Sequence, residues 1–137
     1  PVLAEVLNRL GSRSAFVVHG EDSLDEISIT GRTLVSELKD GEVLTYTIEP
    51  EDFGLSRASI REIKGGDAET NAQIVLEVLQ GEPGARRDIV LLNAAAALVA
   101  AGIAGDFSQG IQQAAEAIDS GEALKKLEAL KKITNKQ

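Results

Sequence analysis

The feature that most constrains the fold is the dipeptide Asp40-Gly41, which lies between two segments of alternating residues. Residues 33–38 and 43–48 both alternate with a period of two, which is typical of strands whose two faces differ. Asp-Gly readily adopts the left-handed backbone conformation that a two-residue hairpin turn requires. The sequence therefore predicts an antiparallel hairpin over residues 33–48.

The N-terminal part of the sequence predicts a helix followed by strands. Residues 1–10 carry an apolar stripe at three- and four-residue spacing, formed by Leu3, Val6, Leu7 and Leu10. The apolar run 15–18 predicts a buried strand, and the alternation at 27–30 predicts a further short strand. Helix, loop and buried strand together indicate an α/β unit. Because such a unit normally begins with a strand, we expect this chain to be part of a larger domain.

The second half of the sequence predicts four helices, at residues 68–80, 85–101, about 106–118 and 122–133. Asp67 is a typical N-cap for the first of them. The second is apolar almost all round and is expected to be central and buried, so its polar residue Asn93 must find hydrogen-bond partners. The last helix is expected to turn four residues inward, namely Leu124, Leu127, Leu130 and Ile133.

Composition and charge exclude several classes of function. The chain has 14 basic and 22 acidic residues and a net charge of −8, which argues against nucleic acid or anionic membranes as partners. The absence of cysteine excludes disulfides and thiolate metal sites. The most apolar run, 89–101, is shorter than the roughly 20 residues of a membrane span. We therefore expect a single α/β domain over residues 1–137, with a cytoplasmic location.

An acidic loop follows the predicted strand at 15–18. Residues 21–26 include four carboxylates, of which Asp25 and Glu26 are adjacent and could supply the oxygen ligands that Mg²⁺ prefers. The alternative is a solvated acidic turn that leads into the next strand, and the spacing leaves both readings open. The only histidine, His19, could transfer protons, but it has no identified partner, and we expect a structural role.

The segment Gly65-Gly66-Asp67 is a second candidate site, because glycines before a helix can admit an anion. It lacks both the Walker spacing and the full dinucleotide fingerprint. Asp67 would also occupy the free N–H groups itself. We therefore interpret the segment as a tight turn into a capped helix.

Four segments resemble anthranilate phosphoribosyltransferases, in the same order along the chain. Residues 17–28 are similar to that family's Val-Val-His-Gly-x-Asp-Gly-Leu-Asp-Glu segment, except that Ser23 stands where the family usually has glycine. Residues 46–55 resemble its Pro-Glu-Asp-Phe-Gly stretch, and residues 65–72 and 92–98 continue the match. The resemblance covers essentially the whole chain, but only the C-terminal part of the family's usual length.

This resemblance implies the C-terminal portion of a phosphoribosyltransferase/nucleoside-phosphorylase-like α/β domain, with a β-hairpin and a C-terminal cluster of helices. It implies that Asp25 and Glu26 help to hold Mg²⁺ against the pyrophosphate of phosphoribosyl pyrophosphate. The parent enzyme would transfer the phosphoribosyl group to anthranilate and release pyrophosphate, a step of tryptophan biosynthesis. It would be a homodimer whose dimer region lies mostly outside this chain.

The remaining site residues would lie upstream, so no catalytic or substrate-binding residue is expected in this chain. We therefore expect the chain alone to be inactive. Two alternatives stay open, a nucleoside phosphorylase-related domain and a non-catalytic binding module of the same fold.

Overall fold

A computed structural model describes residues 1–135 as a mixed α/β structure. Its strands are β1 (Ser14–Gly20), β2 (Thr33–Lys39) and β3 (Glu42–Ile48), and they form an antiparallel sheet in the order β1-β2-β3. Its helices are α1 (Val2–Arg9), α2 (Ile60–Ile63), α3 (Ala68–Leu79), α4 (Ala85–Ala100), α5 (Phe107–Asp119) and α6 (Glu122–Thr134). A short 3₁₀ helix, Pro50–Phe53, follows the sheet. Within residues 1–135, no helix combines the length and hydropathy that a membrane span requires.

The predicted hairpin is confirmed. β2 and β3 pair in the register Lys39↔Glu42, and the turn residues Asp40 and Gly41 have φ angles of 50° and 86°. Both angles are positive, as a two-residue turn that matches the strand twist requires. β2 is the central strand, and its middle residues Val35 and Ser36 are both buried although they point to opposite faces.

The strand predicted at residues 15–18 forms, but it is not buried as we expected. These residues lie in β1, at an edge of the three-stranded sheet, and all four are half-buried. β1 pairs with β2 antiparallel, from Ser14↔Lys39 to Gly20↔Thr33. The continuous apolar run therefore predicted the strand correctly but overestimated its burial within the described residues.

The strand predicted at residues 27–30 is wrong, because this segment is irregular. Its backbone groups bond to side chains instead of to a neighbouring strand: the Ser28 N–H donates to Thr33 Oγ1 at 2.9 Å, and Ile27 is bonded by Asn93. Ile27 and Ile29 are nevertheless buried, at 1% and 0% exposure. The alternation thus identified buried side chains correctly and the backbone conformation incorrectly.

The predicted helices form with small shifts of their ends, and an additional single turn, α2, precedes α3. α4 is central as predicted, with Leu92 and Ala95 fully buried. The inward face predicted for α6 is only partly right, since Leu130 and Ile133 are 57% and 70% exposed. Only the start of α6 reaches the core, where Ala123 packs against a buried cluster, so the apolar residues further along have no described element to cover them.

The core consists of two clusters that share α4. The first joins the sheet to α4 through residues Ile27, Val35, Ile48, Leu92 and Ala96, and the second joins α3, α4 and α5 through Val78, Leu91, Ala114 and Ile118. α4 and α5 approach closely at Gly110, where an added Cβ would lie 2.8 Å from Ala95 Cα. Because Ile27 belongs to the first cluster, the residue that follows the acidic pair is fixed to the core.

Candidate functional site

The acidic pair Asp25–Glu26 lies on the loop of residues 21–32, which connects β1 to β2. The two ends of the loop meet, because the Glu21 N–H donates to the Arg32 carbonyl at 2.9 Å just beyond the Gly20↔Thr33 strand pair. The Gly20 N–H also donates to the Leu24 carbonyl at 3.0 Å, so the first half of the loop folds back on β1. The loop is therefore closed at its base and has a defined shape.

Asp22 stabilises the loop through the hydrogen bonds of its side chain. Its carboxylate accepts hydrogen bonds from the hydroxyls of Ser28 and Thr30 and from the Leu24 N–H, the last at 3.1 Å. Partial burial acts to raise the pKa of Asp22, but these hydrogen bonds outweigh it and lower the pKa below its ordinary value of 3.8. Asp22 is thus an ionised acceptor whose oxygens are already engaged within the loop.

The tight fold of this loop explains two small residues near Asp22. Gly20 has no room for a side chain, since an added Cβ would lie 2.5 Å from Asp22 Oδ1. Ser23 has a φ angle of 74°, a left-handed conformation that glycine adopts more easily than other residues. In the resemblance described above, the family usually has glycine at this position, and Ser23 adopts the backbone conformation that glycine favours.

Asn93 of α4 fixes the other end of the acidic segment. Its Oδ1 accepts from the Ile27 N–H at 2.9 Å, and its Nδ2 donates to the carbonyls of Ile27 at 2.8 Å and Ile89 at 3.0 Å. The N–H and the carbonyl of Ile27 are therefore both hydrogen-bonded to the Asn93 side chain. The sequence predicts that Asn93 needs partners, but Ile27, which takes part in two of the three bonds, lies 66 residues away and leaves no local signal.

Asp25 and Glu26 are both exposed and, within residues 1–135, neither forms an ion pair or a side-chain hydrogen bond. Partial burial raises the pKa of Glu26, and the negative charges of Asp25 and Asp22 raise it further. The pair is therefore an uncompensated concentration of negative charge. A cation bound there would relieve this repulsion.

The donor set fits Mg²⁺ better than a metal that requires a complete protein cage. No group of three or more His, Cys, Asp or Glu side chains in the described part of the chain is arranged to hold a metal ion. Mg²⁺ is commonly bound by one or two carboxylates, several waters and the phosphates of a substrate. Two exposed carboxylates on a shaped loop are sufficient for that form of binding.

A groove of about 790 Å³ begins beside Glu26 and Leu24 and runs between α2, α3 and α4. Its floor is apolar and includes Ile74, Val78 and Ile89, and three cations also line it, namely Arg61, Lys64 and Arg86. They converge only because a single turn and two helices meet here.

The other two sequence candidates do not join this site. His19 is exposed on β1, where it pairs in register with Leu34. In the glycine segment, Asn71 bonds both backbone groups of Gly66, at 2.8 and 3.0 Å, and Asp67 caps α3 by accepting from the Thr70 N–H at 2.9 Å. The interpretation as a tight turn into a capped helix is confirmed.

Known proteins resemble this chain along almost its whole length. The glycosyl transferase family, a/b domain, matches residues 1–124. The anthranilate phosphoribosyltransferase of Desulfatibacillum aliphaticivorans is 55% identical over 133 residues, which are 97% of this chain and 39% of that protein. The enzyme of the same name from Azospirillum brasilense is 56% identical over 133 residues, which are 97% of this chain and 38% of that protein.

Solved structures show the same fold. Anthranilate phosphoribosyltransferase from Thermus thermophilus has a TM-score of 0.82 and 40% identity over 93% of this chain and 37% of that chain. The Saccharomyces cerevisiae enzyme in complex with phosphoribosyl pyrophosphate and Mg has a TM-score of 0.75 and 31% identity over 84% of this chain and 33% of that chain. The expected fold class is thereby confirmed. The chain spans about two fifths of the length of the curated relatives that it matches.

Proposed function

Because the chain belongs to the glycosyl transferase family, as a part of its a/b domain, we propose that it is the C-terminal portion of an anthranilate phosphoribosyltransferase. The parent enzyme transfers the phosphoribosyl group of phosphoribosyl pyrophosphate to anthranilate, releases pyrophosphate, and serves tryptophan biosynthesis. The observation that carries this proposal is the identity of 55% over 133 residues to an enzyme of that name. As part of the same proposal, which rests on the family resemblance, the parent is a cytoplasmic homodimer.

In this proposal Asp25 and Glu26 hold Mg²⁺. Both residues are exposed, and their carboxylates form no ion pair among the described residues. The pKa of Glu26 is raised because its carboxyl is partly desolvated and lies near other negative charges. Asp22 has a different task, because its oxygens accept hydrogen bonds within the loop and keep the pair in place. When bound, Mg²⁺ neutralises negative charge on the departing pyrophosphate.

The two alternative functions receive less support than the transferase. A nucleoside phosphorylase-related domain would share the fold, but the relatives described above carry the name of the transferase. The same names give no support to a non-catalytic binding module. The metal assignment is therefore the point at which the proposal is best tested.

The test uses the full-length parent enzyme with Asp25→Asn combined with Glu26→Gln. We expect kcat/KM at saturating Mg²⁺ to fall about 100-fold or more, because the charge stabilisation of the leaving group is lost, while the melting temperature changes little. Glu21→Gln is the matched control, since Glu21 is an exposed acid of the same loop that lies outside the proposed pair. An unchanged dependence of turnover on Mg²⁺ in the double variant would refute the metal assignment.

A second measurement tests the division of the enzyme into parts. The fluorescence of anthranilate is followed in the presence of phosphoribosyl pyrophosphate and Mg²⁺, with the full-length enzyme and with the 137-residue chain alone. We expect turnover only with the full-length enzyme, because the donor loop and the anthranilate pocket are expected upstream. Turnover by the 137-residue chain would contradict this arrangement.

A further inference from the structure

The Asn93 side chain is placed where it controls the backbone next to the acidic pair. The Ile27 N–H donates to Asn93 Oδ1 at 2.9 Å and belongs to the peptide group that joins Glu26 to Ile27. This hydrogen bond therefore fixes the orientation of that peptide. The second bond, from Nδ2 to the Ile27 carbonyl at 2.8 Å, holds the other side of the same residue. Together the two bonds leave the backbone at the end of the acidic pair little freedom to rotate.

The helix behind this contact is packed into the core. Asn93 is half-buried in α4, and its neighbour Leu92 is fully buried and packs in the same cluster as Ile27. α4 also supplies Arg86, Ile89 and Val90 to the groove beside Glu26. The Asn93–Ile27 contact therefore sets the position of the acidic pair relative to this groove.

We propose that Asn93 is a positioning residue for the divalent cation, an inference that rests on the proposed function. Mg²⁺ requires nearly ideal octahedral geometry at short ligand distances, so it binds well only where carboxylates are already oriented. Asp22 orients the acidic pair from the preceding side of the loop and Asn93 from the following side. The loss of such an outer support typically weakens metal affinity 10- to 100-fold.

The most informative variant is Asn93→Ser in the full-length enzyme. A serine in a helix can still bond the carbonyl four residues earlier, here that of Ile89, but it is too short to reproduce the paired bonds to Ile27. The variant therefore removes the loop contact while keeping a polar group on α4. Asn93→Ala serves as a second variant and removes all three bonds.

The chain offers a matched control in Asn71→Ser. Asn71 makes the same pair of backbone bonds, to the Gly66 N–H and carbonyl at 2.8 and 3.0 Å, but at the start of α3 and not at the acidic pair. Comparing the two variants distinguishes the general effect of losing such a pair of backbone hydrogen bonds from the specific effect of losing the pair at Ile27. The Asp25→Asn, Glu26→Gln double variant reports whether the metal binds at this loop at all.

The primary readout is Mn²⁺ binding, followed by electron paramagnetic resonance with phosphoribosyl pyrophosphate present and anthranilate omitted. We expect Asn93→Ser to raise the apparent Kd for Mn²⁺ about 10-fold or more and Asn71→Ser to leave it within about twofold. Hydrogen exchange of the amides in residues 21–30 should accelerate in the Asn93 variants only. These readouts do not depend on turnover.

The outcomes separate this inference from the proposed function. If the double carboxylate variant binds Mn²⁺ like the wild type, the metal assignment fails, and the positioning role fails with it. If the double variant loses Mn²⁺ but the Asn93 variants keep wild-type affinity, only the positioning role is overturned. A lower melting temperature with unchanged Mn²⁺ affinity would equally assign Asn93 a structural role alone.

Discussion

The contact of α5 with α4 at Gly110 allows a quantitative test of the packing. Gly110 is buried in α5, and a Cβ added there would lie 2.8 Å from both Cα and Cβ of Ala95 and 3.0 Å from its carbonyl oxygen. Carbon atoms in favourable contact are about 3.5–4.0 Å apart. Since two of these three atoms belong to the backbone of α4, the helices must separate by about 1 Å to accept an alanine.

The expected cost follows from two opposing effects. Overpacking a well-filled core costs about 1–3 kcal/mol, whereas replacing glycine by alanine within a helix gains about 1 kcal/mol in propensity. Because two of the closest atoms belong to the backbone of α4 and cannot rotate away, the overpacking cost falls in the upper half of its range, about 2–3 kcal/mol. We therefore expect Gly110→Ala to lower the free energy of unfolding by about 1–2 kcal/mol. With a urea m-value of about 2 kcal/mol/M, this corresponds to a midpoint lower by about 0.5–1 M.

The assay is urea unfolding followed by far-ultraviolet circular dichroism. Gly31→Ala is the matched control, because an added Cβ at Gly31 meets no atom within 4 Å and the backbone there needs no left-handed angle. We expect this control to be neutral or stabilising by up to about 1 kcal/mol. A Gly110→Ala midpoint equal to or above that of the wild type, at an unchanged m-value, would refute the close helix contact.

Two further predictions concern the core and the loop. Leu92→Ala should lower the free energy of unfolding, measured by urea unfolding, by about 2–5 kcal/mol. The reason is that Leu92 is 0% exposed and belongs to the same buried cluster as Ile27. A loss below about 1 kcal/mol would contradict this packing. The lowered pKa of Asp22 means that its ionised form stabilises the fold above pH 3.8, and that this contribution is lost as the pH falls through the lower pKa of the folded state. Asp22→Asn should therefore reduce the decline of stability with acidification, measured as the free energy of unfolding against pH, and an unchanged pH profile would show that the loop does not hold the Asp22 carboxylate.

Local patterns in the sequence predicted the elements whose structure is decided locally. Asp40-Gly41 specified the hairpin through backbone conformation, and Asp67 specified the start of α3 through a capping bond to Thr70. The continuous apolar character of α4 indicated its central position. For the hairpin and the cap the deciding interaction lies within a few residues, and for α4 the apolar character of the whole segment indicates its burial, so in each case the pattern contains the necessary information.

The structure differs from the prediction where side-chain hydrogen bonds that leave no pattern in the sequence decide, both within the loop and across the chain. The alternation at residues 27–30 resembles a strand, but Asn93 and Thr33 bond its backbone and leave it irregular. Asp22 looked equivalent to the other acids of the loop, yet the hydroxyls of Ser28 and Thr30 engage its carboxylate. The acidic pair was identified by resemblance, and its role as a metal site stays a prediction.

The long separation between Asn93 and Ile27 has a consequence for biosynthesis. The two residues are 66 positions apart, and a ribosome adds about 5–20 residues per second, so Asn93 is made about 3–13 s after Ile27. During that interval the hairpin can pair, since both of its strands are local, but the Ile27 backbone lacks its Asn93 partner. The backbone that follows the acidic pair therefore gains its support only after α4 has left the ribosome, which makes this end of the pair a late-maturing part of the nascent protein.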